Sequence, residues 1–360
     1  KVCGYARALA CRGRSSLGVP SRRGERTLSN IITIENLTRK FVNVSGLIRR
    51  KYTVVSAVDD VSFDIREGET YGLVGESGSG KTTVARMVLG LEKPTSGRVI
   101  IDGQDVSKLR GSGLKELRRK VGVVFQDPAA SLNPRVTIGS TLLRPLQVHG
   151  FSKKEADMRV AEAMEKVQLD RELLQRYPHQ LSGGQQQRIS VARAIVLDPK
   201  FLVLDEPTSA LDLSVQAHVL NLLLDLQERD KLTYLFITHD LDVVKYVSDR
   251  IGVMYLGQMM ESAPVDSLMD HPMHPYTRGL LASAPVANPR LRRRDKFRLT
   301  GEISSQVETY EGKKAVKKGI PGCRLQSRCP FASKECADCR PALREMEKDH
   351  LVACLRAPLE

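Results

Sequence analysis

Nine consecutive residues, Gly75, Glu76, Ser77, Gly78, Ser79, Gly80, Lys81, Thr82 and Thr83, fit the spacing G-x-x-x-x-G-K-[ST]. They follow the apolar run Thr70 to Val74 and precede a helix-forming stretch from Thr82 to Leu91. In that context the glycines let the backbone turn tightly enough for successive N–H groups to face phosphate oxygens, and the following helix N-terminus adds a favourable dipole. Lys81 would then reach the β- and γ-phosphates of a nucleotide, and the Thr82 hydroxyl would ligate Mg²⁺. Further along, the run Phe201 to Leu204 ends in two carboxylates, Asp205 and Glu206. At the tip of a buried strand Asp205 can hold Mg²⁺ through water, and Glu206 can orient and deprotonate an attacking water.

A second turn of the same kind stands at Leu181, Ser182, Gly183, Gly184, Gln185 and Arg188. Here the chain resembles the ATPase subunits of ABC transporters, whose signature motif this is, and the family's other motifs follow in order. Gln126, before Asp127 and Pro128, matches the Q-loop; Ser209 to Asp212 matches the D-loop, with Asp212 at the dimer contact; His239 matches the switch histidine. The resemblance implies Gln126, with Thr82 and Asp205, near Mg²⁺, and His239, with Lys81 and Glu206, in catalysis. It also implies Tyr52, with Phe41 as the alternative, stacked on adenine. Two anion-binding helix N-termini in one chain, for one γ-phosphate, agree with the family arrangement. There ATP lies between the glycine-rich loop of one subunit and Ser182 to Gln185 of another.

The C-terminal third narrows the resemblance. His274 to Thr277 with Leu280 and Leu281, Gly322 to Leu325, Arg328 to Pro330, and Val352 to Cys354 resemble the C-terminal region of the oligopeptide and dipeptide importer ATPases. Arg176 to His179 and Ser131 to Pro134 fit the same subfamily. The likeness covers residues 31–357 and implies ATP and Mg²⁺ as cofactors. It implies a second ATPase subunit, either a paralogue or a second copy, and two membrane-spanning permease subunits. An extracytoplasmic solute-binding protein would act indirectly, and the chain would sit peripherally on the cytoplasmic face of the membrane. A soluble ABC ATPase acting on nucleic acid or the ribosome is the competing class, but the chain has neither the long coiled-coil insertion nor the second ATPase domain usual there.

Five of the seven cysteines, Cys323, Cys329, Cys336, Cys339 and Cys354, fall in the last 38 residues. In a reducing compartment such clustering suggests ligation before disulfides. Cys323, Cys329, Cys336 and Cys354 are spaced C-x5-C-x6-C-x17-C, without the tight pairs of a zinc ribbon. Some members of the subfamily hold a four-iron, four-sulfur cluster in this region, which these four thiolates could supply. Zinc and free thiols remain alternatives, and Cys339 competes with Cys336 as a ligand. A cluster would act as a structural staple in a segment otherwise poor in apolar residues.

These groups require elements to hold them. Near-continuous apolar runs at 70–74, 121–125, 201–204, 234–237 and 251–255 read as strands buried on both faces, hence a mainly parallel α/β sheet. The stretch 142–174 is charged and helix-periodic. With the resemblance, the expected fold is a P-loop NTPase: a RecA-like core, an antiparallel β subdomain, an inserted helical subdomain and a small cysteine-bearing C-terminal domain. The boundaries are 1–28 for a basic, disordered extension, 29–265 for the nucleotide-binding domain with helices at about 135–196, and 266–360 for the C-terminal domain.

Composition agrees: 41% hydrophobic and 27% charged residues exclude disordered and collagenous classes. No apolar run approaches the length of about 18 to 20 residues needed to span a bilayer. The net charge of +14 is concentrated in 1–28 and 289–318, each carrying +6, and leaves 29–288 near neutral. Such segments are read either as solvated tails or as surfaces for an anionic partner. No Trp and 5% aromatics leave little for base stacking, so nucleic acid is not expected. No hydrophobic segment of secretory type opens the chain, which is expected to be cytosolic.

Overall fold

A computed structural model describes residues 29–45, 51–283, 299, 301, 307–311, 314–317 and 319–358. The basic segment 1–28, with Cys3 and Cys11, and most of 289–318 lie outside the described residues. The chain divides into two compact units: Lys1–Ile31, Ile65–Glu69 and Arg110–Leu235 in the first, and Ile32–Asp64, Thr70–Leu109 and Phe236–Glu360 in the second. Among the described residues no helix is long and apolar enough to cross a membrane.

The first unit pairs β6 (Val121–Val124) in parallel with β7 (Phe201–Asp205), in register from Val121↔Phe201 to Val124↔Leu204. Every residue of β7 is buried, as its unbroken apolar run requires. Around this pair stand α2 (Gly111–Lys120), α3 (Ile138–Val148), α4 (Lys153–Lys166), α5 (Gly183–Ile195) and α6 (Leu213–Asp230). The stretch expected to be helical is so. Its helices bury one face each, Ile138, Leu142 and Leu146 in α3 and Ala156, Val160, Ala163 and Met164 in α4. Helix α4 starts on a capping box, Glu155 N–H donating to Ser152 Oγ at 3.3 Å and Ser152 N–H to Glu155 Oε2 at 3.1 Å.

The second unit holds two sheets. One is antiparallel, in the order β12 (Lys314–Lys317), β11 (Val307–Glu311), β2 (Lys51–Arg66), β1 (Asn30–Ser45), β4 (Ser96–Ile101), β5 (Gln104–Asp105). In the other, β3 (Thr70–Val74) runs parallel to β9 (Arg250–Tyr255), and β10 (Gln258–Pro264), β14 (His350–Val352) and β13 (Arg344–Glu347) continue it antiparallel. Helices α1 (Lys81–Val88), α7 (Leu241–Val247), α8 (Val265–Asp270) and α9 (Pro275–Ser283) belong here, and the unit boundary falls inside β8 (Thr233–Thr238).

The C-terminal segment does not depend on a core of its own. Strand β14 pairs with β10, and Leu325 joins Val74, Tyr255, Met260 and Tyr276 in one buried cluster, with Cys323 and Cys329 packed against it. Its few apolar residues suffice because they extend a core that other parts of the unit supply.

Candidate functional site

The glycine-rich loop leaves β3 and enters α1 as its spacing predicts. Gly75 and Gly80 are required where they stand. A Cβ on Gly75 would come within 2.1 Å of Met254 O, and one on Gly80, at φ +104°, within 2.3 Å of Ala57 O. Gly80 stands at the N-cap of α1, at φ +104° and without a side-chain capping hydrogen bond, and the positive end of the helix dipole there favours an anion. Lys81 is buried and its Nζ donates to Gly75 O at 2.8 Å, Glu76 O at 3.0 Å and Ser79 Oγ at 3.2 Å. Ser77, Gly78 and Thr82 are exposed and Thr83 half-buried. A buried ammonium held by two backbone carbonyls and a hydroxyl, at the head of a helix without a side-chain cap, fits a phosphate chain with its metal ion.

Distant residues hold this loop. Glu76 N–H donates to Tyr276 Oη at 3.0 Å, Gly257 N–H to Ser79 O at 2.8 Å, and Arg328 pairs with the Glu76 carboxylate at 3.0 Å. Beside it, Arg324 pairs with Asp59 and donates to Leu256 O, while Arg340 reaches Asp59 at 3.2 Å. Burial pushes the Asp59 carboxyl up, but the two guanidiniums outweigh it and hold it below the ordinary carboxylate value. Sequence reasoning placed Glu76 and Ser79 in the loop and read Tyr276, Arg324 and Arg328 only as marks of the subfamily; it gave Asp59, Gly257 and Arg340 no role. An acidic residue inside an anion-binding loop signals the need for a cation, though not which one.

In the first unit, Asp205 ends β7 and Glu206 follows at φ +48°, a left-handed conformation uncommon for a side-chain-bearing residue and frequent at functional sites. Gln126 Nε2 donates to Glu206 Oε2 at 2.9 Å, so the Gln126 amide and the carboxylate after the strand meet directly, a contact the sequence reading did not specify. Ser182 opens α5 with a capping box, Gln185 N–H donating to Ser182 Oγ at 3.3 Å and Ser182 N–H to Gln185 Oε1 at 3.0 Å. Gln185 therefore serves its own helix. Ser182 and Gly183 are exposed, and a Cβ on Gly184 would come within 2.5 Å of Val215 in α6. Asp212, exposed, is the N-cap residue of α6, but its side chain makes no capping hydrogen bond. Arg193 on α5 donates to Ser131 O at 2.6 Å and so ties the signature helix to the turn that follows the Q-loop.

His239 follows β8 and is exposed, while Asp240 caps α7. Tyr52 lies on β2 opposite Tyr310 of β11, and Phe41, on β1, carries the Arg39 guanidinium 4.6 Å from its ring centroid.

Cys323, Cys329, Cys336 and Cys354 line one pocket with Leu325, Phe331 and Pro275, and Cys339 is exposed outside it. Burial, the largest cause, pushes Cys323 and Cys329 up to about 11 and raises Cys354, against backbone N–H groups that pull all three down and with a smaller upward push from the neighbouring thiols. Among the described residues no three His, Cys, Asp or Glu side chains gather as the ligands of a metal ion. Another buried group that the sequence did not flag is Glu261. It accepts from Met273 N–H at 2.6 Å, His274 N–H at 3.1 Å and His350 Nε2 at 2.8 Å.

A glycine-rich phosphate loop, a strand-end carboxylate pair and a serine-glycine-glycine helix start define an ATP-binding cassette. The sequence model described as ABC transporter matches residues 58–209, and that of the oligopeptide/dipeptide transporter C-terminal region matches 260–336. The chain is 45% identical over 327 residues to the oligopeptide transport ATP-binding protein AppF of Bacillus subtilis strain 168, covering 90% of this chain and 96% of that one. It is 46% identical over 319 residues to a putative peptide import ATP-binding protein of Brucella ovis, covering 88% and 97%. Among solved structures it resembles the ATP-binding cassette MJ0796, a dimer in a post-hydrolysis state bound to ADP and Pi. There the TM-score is 0.58 with 32% identity, covering 65% of this chain and 98% of that one. The chain belongs to the ABC transporter ATPases, in the oligopeptide/dipeptide branch, and is an ATP-hydrolysing enzyme.

Proposed function

We propose that this ATPase energises a membrane importer for peptides or a related solute. The observation that carries this is the joint likeness of the cassette and the C-terminal region to named peptide-import ATPases over nine-tenths of the chain. We read 29–265 as the nucleotide-binding domain with its helical insertion at about 135–196, and 266–360 as the C-terminal appendage.

In this reading the N–H groups of 75–83 and Lys81 hold the phosphates, and Tyr52 stacks on adenine. Thr82, Asp205 and Gln126 hold Mg²⁺, which when bound would neutralise phosphate charge. Glu206 orients the attacking water and takes its proton, and His239 contacts the γ-phosphate. Gln126 already touches Glu206, which supports a Q-loop that senses the catalytic carboxylate. Ser182, Gly183 and Gly184 face the ATP of a second subunit, and Asp212 lies at that contact; the exposure of Ser182, Gly183 and Asp212 supports it. The partners are that subunit and two permease subunits at the cytoplasmic face, with the solute-binding protein acting through the permeases. Affinity purification from the native membrane tests this: permease subunits should co-purify, and their absence alongside ribosomal or nucleic-acid components would refute it.

For the cysteines we propose that Cys323, Cys329, Cys336 and Cys354 hold a four-iron, four-sulfur cluster. Four soft donors in one apolar pocket support it, and the exposure of Cys339 outside that pocket favours Cys336 as the ligand. Anaerobically purified protein should be brown with about four irons per chain. One zinc, or no metal in folded protein, would reject the cluster.

A further inference from the structure

The phosphate-binding loop carries a carboxylate of its own. Glu76 directly follows Gly75, and its backbone carbonyl is one of the acceptors holding Lys81 Nζ. A negative charge there works against a triphosphate, because like charges close together in a partly desolvated site raise each other's cost.

The structure sets a counter-charge on it from 252 residues further along the chain. Arg328 Nη1 donates to Glu76 Oε2 at 3.0 Å and Nη2 to Oε1 at 3.2 Å, a two-pronged pair in which the Arg328 side chain is 11% exposed. Arg328 Nη1 also donates to Tyr255 Oη at 3.3 Å. Tyr255 packs on Tyr276 with ring centroids 4.6 Å apart, and Tyr276 Oη accepts the Glu76 N–H. Both rings are fully buried. Glu76 is thus gripped at its carboxylate and at its backbone, and the carbonyl that holds Lys81 is gripped with it.

We propose that Arg328 is a positioning residue for ATP binding: it neutralises Glu76 and draws its carboxylate away from the phosphates, and so ties the loop to the cysteine-bearing segment. This rests on reading 75–83 as the ATP loop. A merely structural Arg328 would affect folding but would not make ATP affinity depend on the charge of Glu76.

The test measures ATP affinity and thermal midpoint of the full chain carrying Arg328→Gln, Arg328→Lys, or Arg328→Gln with Glu76→Gln, and Lys81→Ala as control. Arg328→Gln should weaken ATP binding about tenfold, in keeping with the loss of a charged hydrogen-bonded partner, and more at low salt than at high. Arg328→Lys should fall between, since an ammonium cannot reproduce the fork. Adding Glu76→Gln to Arg328→Gln should recover most of the affinity, because the unpaired charge is then gone. Wild-type affinity in Arg328→Gln, or no recovery in the double variant, would overturn the proposal. If Arg328→Gln fails to fold, Arg328→Lys with and without Glu76→Gln gives the same comparison. Unchanged affinity in Lys81→Ala would instead overturn the reading of the loop.

Discussion

Two glycine-rich turns start helices in this chain, and they are held in opposite ways. The turn at 75–83 draws on residues far along the chain: Met254, Gly257, Tyr276 and Arg328 crowd or bond it, and its own helix lacks a side-chain cap. The turn at 182–185 is closed by its own Ser182 and Gln185, and Gln186 reaches back only to Pro178 and Leu181. The first is preorganised around a buried ammonium. The second is a self-sufficient, exposed helix start that can meet an anion without rearranging its own unit. That contrast suits a reaction in which one turn owns the nucleotide and the other visits it.

The largest effect should come from removing chemistry while leaving both turns intact. Glu206→Gln is expected to lower turnover by about 10²–10⁴-fold with ATP binding retained, since it removes the base and leaves the phosphate cradle. Steady-state hydrolysis beside equilibrium nucleotide binding measures it, and near-normal turnover would remove Glu206 from its role.

Matched substitutions sharpen the contrast directly. Gly80→Ala drives a methyl into the Ala57 carbonyl at a left-handed φ and should abolish ATP binding. Gly184→Ala presses a methyl against the stiff Val215 side chain of α6 and should cost stability, but it lies away from the loop at 75–83 and should leave ATP binding of the same chain unchanged. Equal losses in the two variants would erase the distinction.

A smaller effect concerns acid. Burial lowers His274, which donates no charge to the fold, from 6.5 to about 4. The unfolded chain therefore takes up that proton first, so stability is full above about pH 6.5 and falls as pH drops towards 4. Thermal midpoints across that window should decline, and His274→Asn should flatten the decline. An identical slope in the variant would point to other groups.

The smallest expected effect is at the self-capped turn. Ser182→Ala removes the Oγ acceptor of Gln185 N–H and should cost about 1 kcal/mol of stability. ATP affinity of the chain itself should not change, which calorimetry with and without nucleotide would check.

Legibility from sequence followed range. Residues 75–83 and 205–206 are read from local spacing because each group's chemistry depends on a strand end or helix start a few residues away, whereas 182–185 and 239 take their roles from the family resemblance. The strands at 70–74 and 201–205 announce themselves through the apolar runs 70–74 and 201–204, and the structure buries every residue of both. The pairing of Glu76 with Arg328, of Asp59 with Arg324, and of Glu261 with His350 was not legible. Each joins residues 89 or more positions apart whose meeting depends on tertiary register. The left-handed Glu206 was equally hidden, since nothing in its type announces that conformation. The cysteine segment was read as too poor in apolar residues for a core of its own; that it extends the cluster of β10 and Tyr276 instead depends on tertiary register and was not legible.

The claim at the centre is that ATP turnover by this chain drives solute uptake. With its permease subunits in vesicles loaded with ATP and Mg²⁺, and with the solute-binding protein outside, labelled peptide should accumulate at a rate that follows hydrolysis and should stop in Glu206→Gln. Accumulation that persists at the wild-type rate in that variant would contradict it.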